Sequence, residues 1–209
     1  MKISEEIKEA LIENKKIFYM LMILFAIGFV IAFIMADDIA PVLMPMLKEA
    51  LLEGNVTSID AFSIMFHNLK SAITIFFAST LFGIFAVISI IANGFVVGFM
   101  AGYTVKSFNT LIIFLALILP HGIIEIPALF LSCASGIQLF LFIFRVLKDK
   151  INHYSFAEAY QNNKKTLKHI LILMSIAILL FVIAALIEGF ITPQLGNIAS
   201  QQMGGSKLF

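Results

Sequence analysis

Charged residues divide this chain into long apolar runs separated by polar interruptions. Residues 17–36 carry no charge and end at Asp37-Asp38, which meets the requirement of about 20 apolar residues for a helix that spans a bilayer. Before them, four lysines and four glutamates are mixed with Ile3, Ile7 and Leu11 at helical spacing. That pattern fits an amphipathic helix on a membrane surface, or a plain extension of the first span. The leader is too long and too mixed in charge for an ordinary signal peptide, and no small-residue cleavage site follows, so the first span is expected to be retained.

Residues 37–70 form the first polar interval, with Pro41, Pro45, Gly54 and five acids (Asp37, Asp38, Glu49, Glu53, Asp60) against Lys48 and Lys70. A short helix is expected from about Leu43 to Glu53, closed by Gly54. Thr57 or Ser58 reads as the N-cap of a longer helix that runs past Asn68 and Lys70 to about Ala92. Asn55-Val56-Thr57 fits a glycosylation triplet, a pattern that arises easily by chance.

Residues 71–144 hold only two formal charges, Lys106 and Glu125, together with the titratable His121. The chain then turns basic, with Arg145, Lys148, Lys150, Lys164, Lys165 and Lys168 against Asp149 and Glu158. The excess of lysine and arginine puts this loop and the leader on the cytoplasmic side and the acidic interval outside. An odd number of crossings must then separate residues 70 and 145, and one is too few for a run of that length. The expected architecture is an all-α, polytopic transmembrane bundle of five spans, at about 17–36, 71–92, 108–122, 125–145 and 169–190. Its N-terminus is inside and its C-terminus outside. Residues 1–16 form the leader, 17–193 one transmembrane domain and 194–209 a flexible tail.

Two segments sit awkwardly in that scheme. Residues 93–107 contain Gly94, Gly98 and Gly102, a strip of small residues on one helix face that permits close helix approach. They are expected to form a re-entrant or interfacial segment, with a homodimer contact as one use of the strip. The run Leu119-Pro120-His121-Gly122-Ile123-Ile124-Glu125-Ile126-Pro127 carries two prolines and a glycine. Pro120, Gly122 and Pro127 are expected to break the helix, and a broken segment must face protein or a wet cavity. Ser155-Phe156-Ala157-Glu158 fits a capping box at the approach to the last span.

Composition enlarges the picture without changing it. Hydrophobic residues make up 61% of the 209 and charged residues 13%, with a mean hydropathy of +1.03. Soluble domains are about 45–50% apolar and 25% charged, so lipid is the expected solvent, and a soluble enzyme or a disordered chain is excluded. The net charge of +1 gives no basic field for nucleic acid, and the single cysteine rules out an internal disulfide.

Candidate chemistry lies in the polar residues that lipid should reject. His121 and Glu125 are four apart and share a face on a continuous helix. With the stated orientation, Glu188, Asn68 and His67 approach the same outer leaflet, and the five form an expected polar cluster. Three readings compete: a hydrogen-bonded network that staples helices, a site that handles protons or solutes, and a metal site. No metal and no cofactor are expected, because His-x-x-x-Glu lacks the second histidine and separate base of His-Glu-x-x-His. Cys133 reads as a small hydrophobe, and no catalytic residue is identified.

The string from Leu119 to Ala128 closely resembles the signature of the stage II sporulation protein M family. Asn68, Gly83, Asn93-Gly94, Gly98, Gly136, Glu188 and Pro193 follow in the family's order. His67 departs from the pattern, standing where many members carry a second asparagine. The resemblance implies a non-enzymatic membrane anchor that, in spore-forming bacteria, organises a lytic transglycosylase and a peptidoglycan amidase-endopeptidase in an envelope complex. Expected partners are therefore the lipid bilayer, other envelope or membrane proteins and a second copy, but not nucleic acid. A small transporter or channel that uses His121 and Glu125 is the alternative, and an intramembrane metal-dependent hydrolase a third. The expected location is the cell membrane, with multiple passes.

Overall fold

The computed structural model describes residues 3–53, 61–81, 83–192, 194, 195, 198 and 201. All regular structure among them is helical: α1 (Ile3–Glu13), α2 (Lys15–Ile34), α3 (Ala36–Glu53), α4 (Ala61–Ala78), α5 (Ile84–Thr104), α6 (Phe108–Ile151) and α7 (Phe156–Phe190). Among these, α2, α5, α6 and α7 are long and apolar enough to cross a membrane. At about 1.5 Å per residue, α2 is roughly 30 Å long, the thickness of a hydrocarbon core. Its outer stripe of Tyr19, Ile23, Ile27, Val30 and Ile34 is exposed, and an apolar surface of that length belongs in lipid.

The glycine strip determines how α2 and α5 pack. A Cβ on Gly94 would lie 2.3 Å from the Phe25 carbonyl oxygen, on Gly98 2.1 Å from that of Phe29, and on Gly102 2.4 Å from that of Phe33. Gly28 reciprocates, with a Cβ position 2.5 Å from the Ile91 oxygen. Partner numbers rise together, so α2 and α5 run parallel, backbone against backbone. Residues 93–107 are therefore not a re-entrant segment, because Gly94 to Gly102 belong to the full-length helix α5 and Ser107 caps α6. The strip's packing partner lies within the same chain.

Two parallel helices need a return path between them, and α4 is antiparallel to α5. The two meet at a corner marked by Ser79, Thr80 and Gly83, where the expected continuous span at 71–92 is interrupted. There the Ser79 and Thr80 hydroxyls donate to the Ile75 and Phe77 carbonyls at 2.6 and 2.7 Å. Gly83 takes a left-handed φ of 69°, a conformation glycine adopts without steric cost. The corner tucks beneath Gly136 of α6, whose Cβ would lie 2.7 Å from that of Ser79. Nearby, the Ser132 hydroxyl donates to the Ala72 carbonyl at 3.0 Å, and buried Cys133 packs against the start of α5 with its Sγ 3.8 Å from the Ala86 oxygen.

The expected break at Pro120, Gly122 and Pro127 does not occur. Residues 108–122 and 125–145 are one helix, α6, with both prolines inside it. Each proline deletes a single i→i−4 bond while the bonds on either side persist. In lipid, unwinding the segment would expose further backbone groups that no water could satisfy, so continuity costs less than a break.

Other ends are also longer than the apolar runs implied. α3 begins at Ala36 and carries Pro41 and Pro45 inside it, each at the loss of one backbone hydrogen bond. The last span forms the second half of α7, which starts at Phe156 behind the expected capping box: Ser155 Oγ accepts from Glu158 N–H, and a Glu158 carboxylate oxygen accepts from Ser155 N–H at 2.8 Å. A second such box, Ser107 with Thr110, opens α6. The Thr57 or Ser58 cap, the Asn55 triplet and Pro193 lie outside the described residues.

Polar clasps tie the ends together. Lys106 meets Asp37 at 2.8 Å, joining the α5–α6 connection to the first turn of α3. At the start of α2, buried Asn14 accepts a hydrogen bond from Gln138 and donates to the Ala10 carbonyl at 2.7 Å. Beyond Gln138, α6 and α7 continue as an antiparallel pair in which Asn163 donates to Asp149 at 3.0 Å and Arg145 to Thr166 at 3.1 Å. The leader helix α1 docks there. Glu9 meets Lys165 at 2.7 Å, Glu13 also meets Lys165, and Glu6 meets Lys168. The Lys165 hydrogen bond and the positive charges of Lys165 and Lys168 hold the Glu9 carboxyl below its usual range. A lowered carboxyl pKa favours the docked leader at pH values above the unfolded one, and the benefit fades as pH falls through the docked one.

Candidate functional site: a polar cavity between α4, α5, α6 and α7

Because α6 is continuous, His121 and Glu125 stand one turn apart on one face. Glu188 comes from the last turn of α7, which runs antiparallel to α6. One ligand-type atom from each of the three residues lies within 4.8 Å of the others, and all three side chains are partly buried. Thr192, just past the end of α7, places its hydroxyl 3.4 Å from His121 Nδ1 and donates to the Ile187 carbonyl at 3.3 Å.

His121 and Glu125 line a cavity of about 250 Å³. Its other polar walls are His67, Asn68 and Ser71 of α4 and Asn93 of α5, and Phe25 and Phe181 are among its apolar ones. Asn93 turns its amide back to the Ser89 carbonyl at 2.9 Å. Among the described residues, the Asn68 amide nitrogen is buried with no hydrogen-bond partner. A buried donor in that state costs on the order of 1–3 kcal/mol. Gly122, where a Cβ would meet nothing closer than Ile118 Cγ2 at 3.5 Å, also lines an outward-facing apolar hollow of about 310 Å³ with Ile118 and Ile126.

The structure thus gathers all five residues of the expected cluster. His121, Glu125 and Glu188 form its tight part, while His67 and Asn68 line the adjoining cavity. Pro120 and Pro127 are helical residues instead of breaks, and Gly122 is a thin place in the cavity wall. Gly94, Gly98 and Gly102 pack α5 on α2, and Gly83 serves the corner. Sequence reasoning missed Ser71, Asn93 and Thr192 as members of the site. For Asn93 the available signal was a lone carboxamide inside an apolar run.

Two carboxylates this close in mostly apolar surroundings repel each other, and their joint charge calls for a proton or a cation. The arrangement can therefore hold a positive charge, and the carboxamides and hydroxyl of the cavity offer neutral donors and acceptors beside it.

Comparison with known proteins yields one family model, stage II sporulation protein M, matching residues 21–193. The chain belongs to the stage II sporulation protein M family. The match takes in α2 from Leu21 onward and the entire His121, Glu125 and Glu188 site. Two uncharacterised proteins of the archaeon Methanocaldococcus jannaschii are similar to it. One is 36% identical over 135 residues, covering 65% of this chain and 72% of the relative. The other is 32% identical over 129 residues, covering 62% of this chain and 56% of the relative. No solved structure matches the chain. Family membership and the four apolar helices together make this a membrane protein.

Proposed function

We propose that this member of the family is a multi-pass protein of the cell membrane that binds a small cation or polar solute in its intramembrane cavity and acts as a small transporter or channel. The observation that carries the reading is the Asn68 amide, buried and unpartnered at a cavity that also holds His121 and Glu125. A network that merely stapled helices would satisfy its own donors, since a half-satisfied buried network is costlier than an apolar one. A cavity that takes a polar ligand satisfies them on binding.

The topology this reading takes has five crossings, with α4 added to the four longer apolar helices α2, α5, α6 and α7. The parallel run of α2 and α5 requires a crossing back between them, and α4 supplies it. The basic face around Arg145 and Lys164 favours a cytoplasmic α6–α7 turn, an inside N-terminus and an outside C-terminus.

The test is flux into vesicles reconstituted with purified protein. Glu125→Gln removes one charge and keeps the shape, and it is expected to abolish solute- or proton-dependent flux while the protein stays folded. Flux unaltered by the substitution would remove the transport reading.

A second reading, a non-enzymatic anchor of an envelope complex, is favoured by the family itself and by the α6–α7 pair that continues past Gln138 with Arg145, Lys148, Lys150 and Lys164. Crosslinking in native membranes should then recover other envelope proteins attached to this pair or to α3. Recovery of a lone homo-oligomer counts against it.

A further inference from the structure

We propose that His121, Glu125 and Glu188 bind one first-row divalent metal cation, of the Mn²⁺ or Zn²⁺ class, with its open coordination positions directed to the cavity between α4, α5 and α6. This deepens the ligand-binding reading above and rests on it. The donors come from two helices held against each other, and their ligand atoms already lie within 4.8 Å of one another. A tetrahedral site with bonds near 2.1 Å needs donor separations of about 3.4 Å, so side-chain rotations that shorten the separations by up to about 1.4 Å close the set.

Charge balance selects the valence. One divalent cation neutralises two carboxylates, and with a neutral imidazole the site carries no net charge, the least costly state in lipid. A monovalent cation would leave one negative charge over. Chemistry selects the class. One imidazole nitrogen with two carboxylates suits zinc, manganese or iron, whereas calcium takes six to eight oxygens, more than these side chains supply.

The surroundings point the same way. The Thr192 hydroxyl beside His121 Nδ1 fixes the ring as an outer-shell partner does for ligating histidines. Three protein ligands leave positions for water or substrate, and the cavity of about 250 Å³ offers Asn68, Ser71 and Asn93 to those ligands. The unpartnered Asn68 amide is the donor that a metal-bound water or anion would satisfy.

The experiment uses the full-length protein in detergent, with any affinity tag removed, incubated separately with Mn²⁺ and with Zn²⁺ and freed of excess metal. Elemental analysis should find about one equivalent per chain of at least one of them, and that metal should raise the melting temperature. Glu188→Gln and Glu125→Gln should each weaken binding by at least about tenfold, and Glu158→Gln, on the capping box of α7, should leave it unchanged. Wild-type protein that melts cooperatively yet retains neither metal overturns the proposal, whether or not the variants fold. So does stoichiometric metal that survives in both glutamine variants. Proton flux that depends on Glu125 without bound metal overturns the metal assignment and leaves the transport reading intact. Bound metal without any flux upholds the assignment and removes transport.

Discussion

Gly98→Leu is expected to leave almost no folded protein. A Cβ at that position falls 2.1 Å from the Phe29 carbonyl oxygen and 2.7 Å from its Cα and carbonyl carbon. These are backbone atoms, which cannot rotate away as a side-chain tip can. Overpacking a core typically costs about 1–3 kcal/mol, but that figure assumes yielding neighbours, and here two helix axes must separate. A loss above about 4 kcal/mol is expected, and Gly98→Ala should already lose much of it, because the clash begins at Cβ. Gly122→Ala is the control. Its Cβ meets only ordinary van der Waals contact, and alanine's better helix propensity should stabilise α6 by up to about 1 kcal/mol. Thermal melts in detergent separate these outcomes. Equal melting temperatures for Gly98→Ala and wild type would show that α2 and α5 do not touch through this seam.

The second large effect is expected at the foot of α2. Asn14, only 2% exposed, links the leader helix to α6 by donating to the Ala10 carbonyl and accepting from Gln138. Asn14→Leu leaves the Gln138 amide without its acceptor, which costs about 1–3 kcal/mol where the group is buried. Gln138→Leu alone should cost a similar amount. Replacing both removes donor and acceptor together, so the double variant should recover much of the loss, to within about 1 kcal/mol of wild type. Additive losses in a double-mutant cycle would show that the two side chains do not interact.

How legible all this was in the sequence differs from residue to residue, for physical reasons. His121 and Glu125 stood out because charge is almost absent between residues 71 and 144, and a lone ionisable group in lipid has few innocent uses. Glu188 followed by counting along the last apolar run. The all-helical class followed from hydropathy alone. The corner at Ser79, Thr80 and Gly83 was hidden, since serine, threonine and a single glycine all occur within membrane helices, and the left-handed φ of Gly83 leaves no trace in the sequence pattern. The prolines misled in the opposite direction. Proline ends a helix readily in water, where freed carbonyls find solvent, but in lipid the helix runs on. The pair of Asn14 and Gln138 could not be foreseen, because 124 positions separate them and each residue alone is unremarkable near a membrane surface. The partner of the glycine strip was likewise invisible: spacing shows a face fit for close approach, not which helix approaches it.

The backbone contact between α2 and α5 bears on how the protein could move. Helices that slide past each other do so by rotating side chains between neighbouring grooves, and along this seam there are few side chains to rotate. Any slip of a fraction of a turn brings a carbonyl oxygen against the next Cβ instead of the next glycine. The two helices should shift only as a single plate, and α4 is similarly pinned to α6 through Ser132 and Gly136. The end of α7 meets the site through side chains instead: Thr192 reaches His121 across 3.4 Å and Glu188 stands one turn before it. The moving part of this molecule would be the last turn of its final long helix, swinging against a frame that cannot shear.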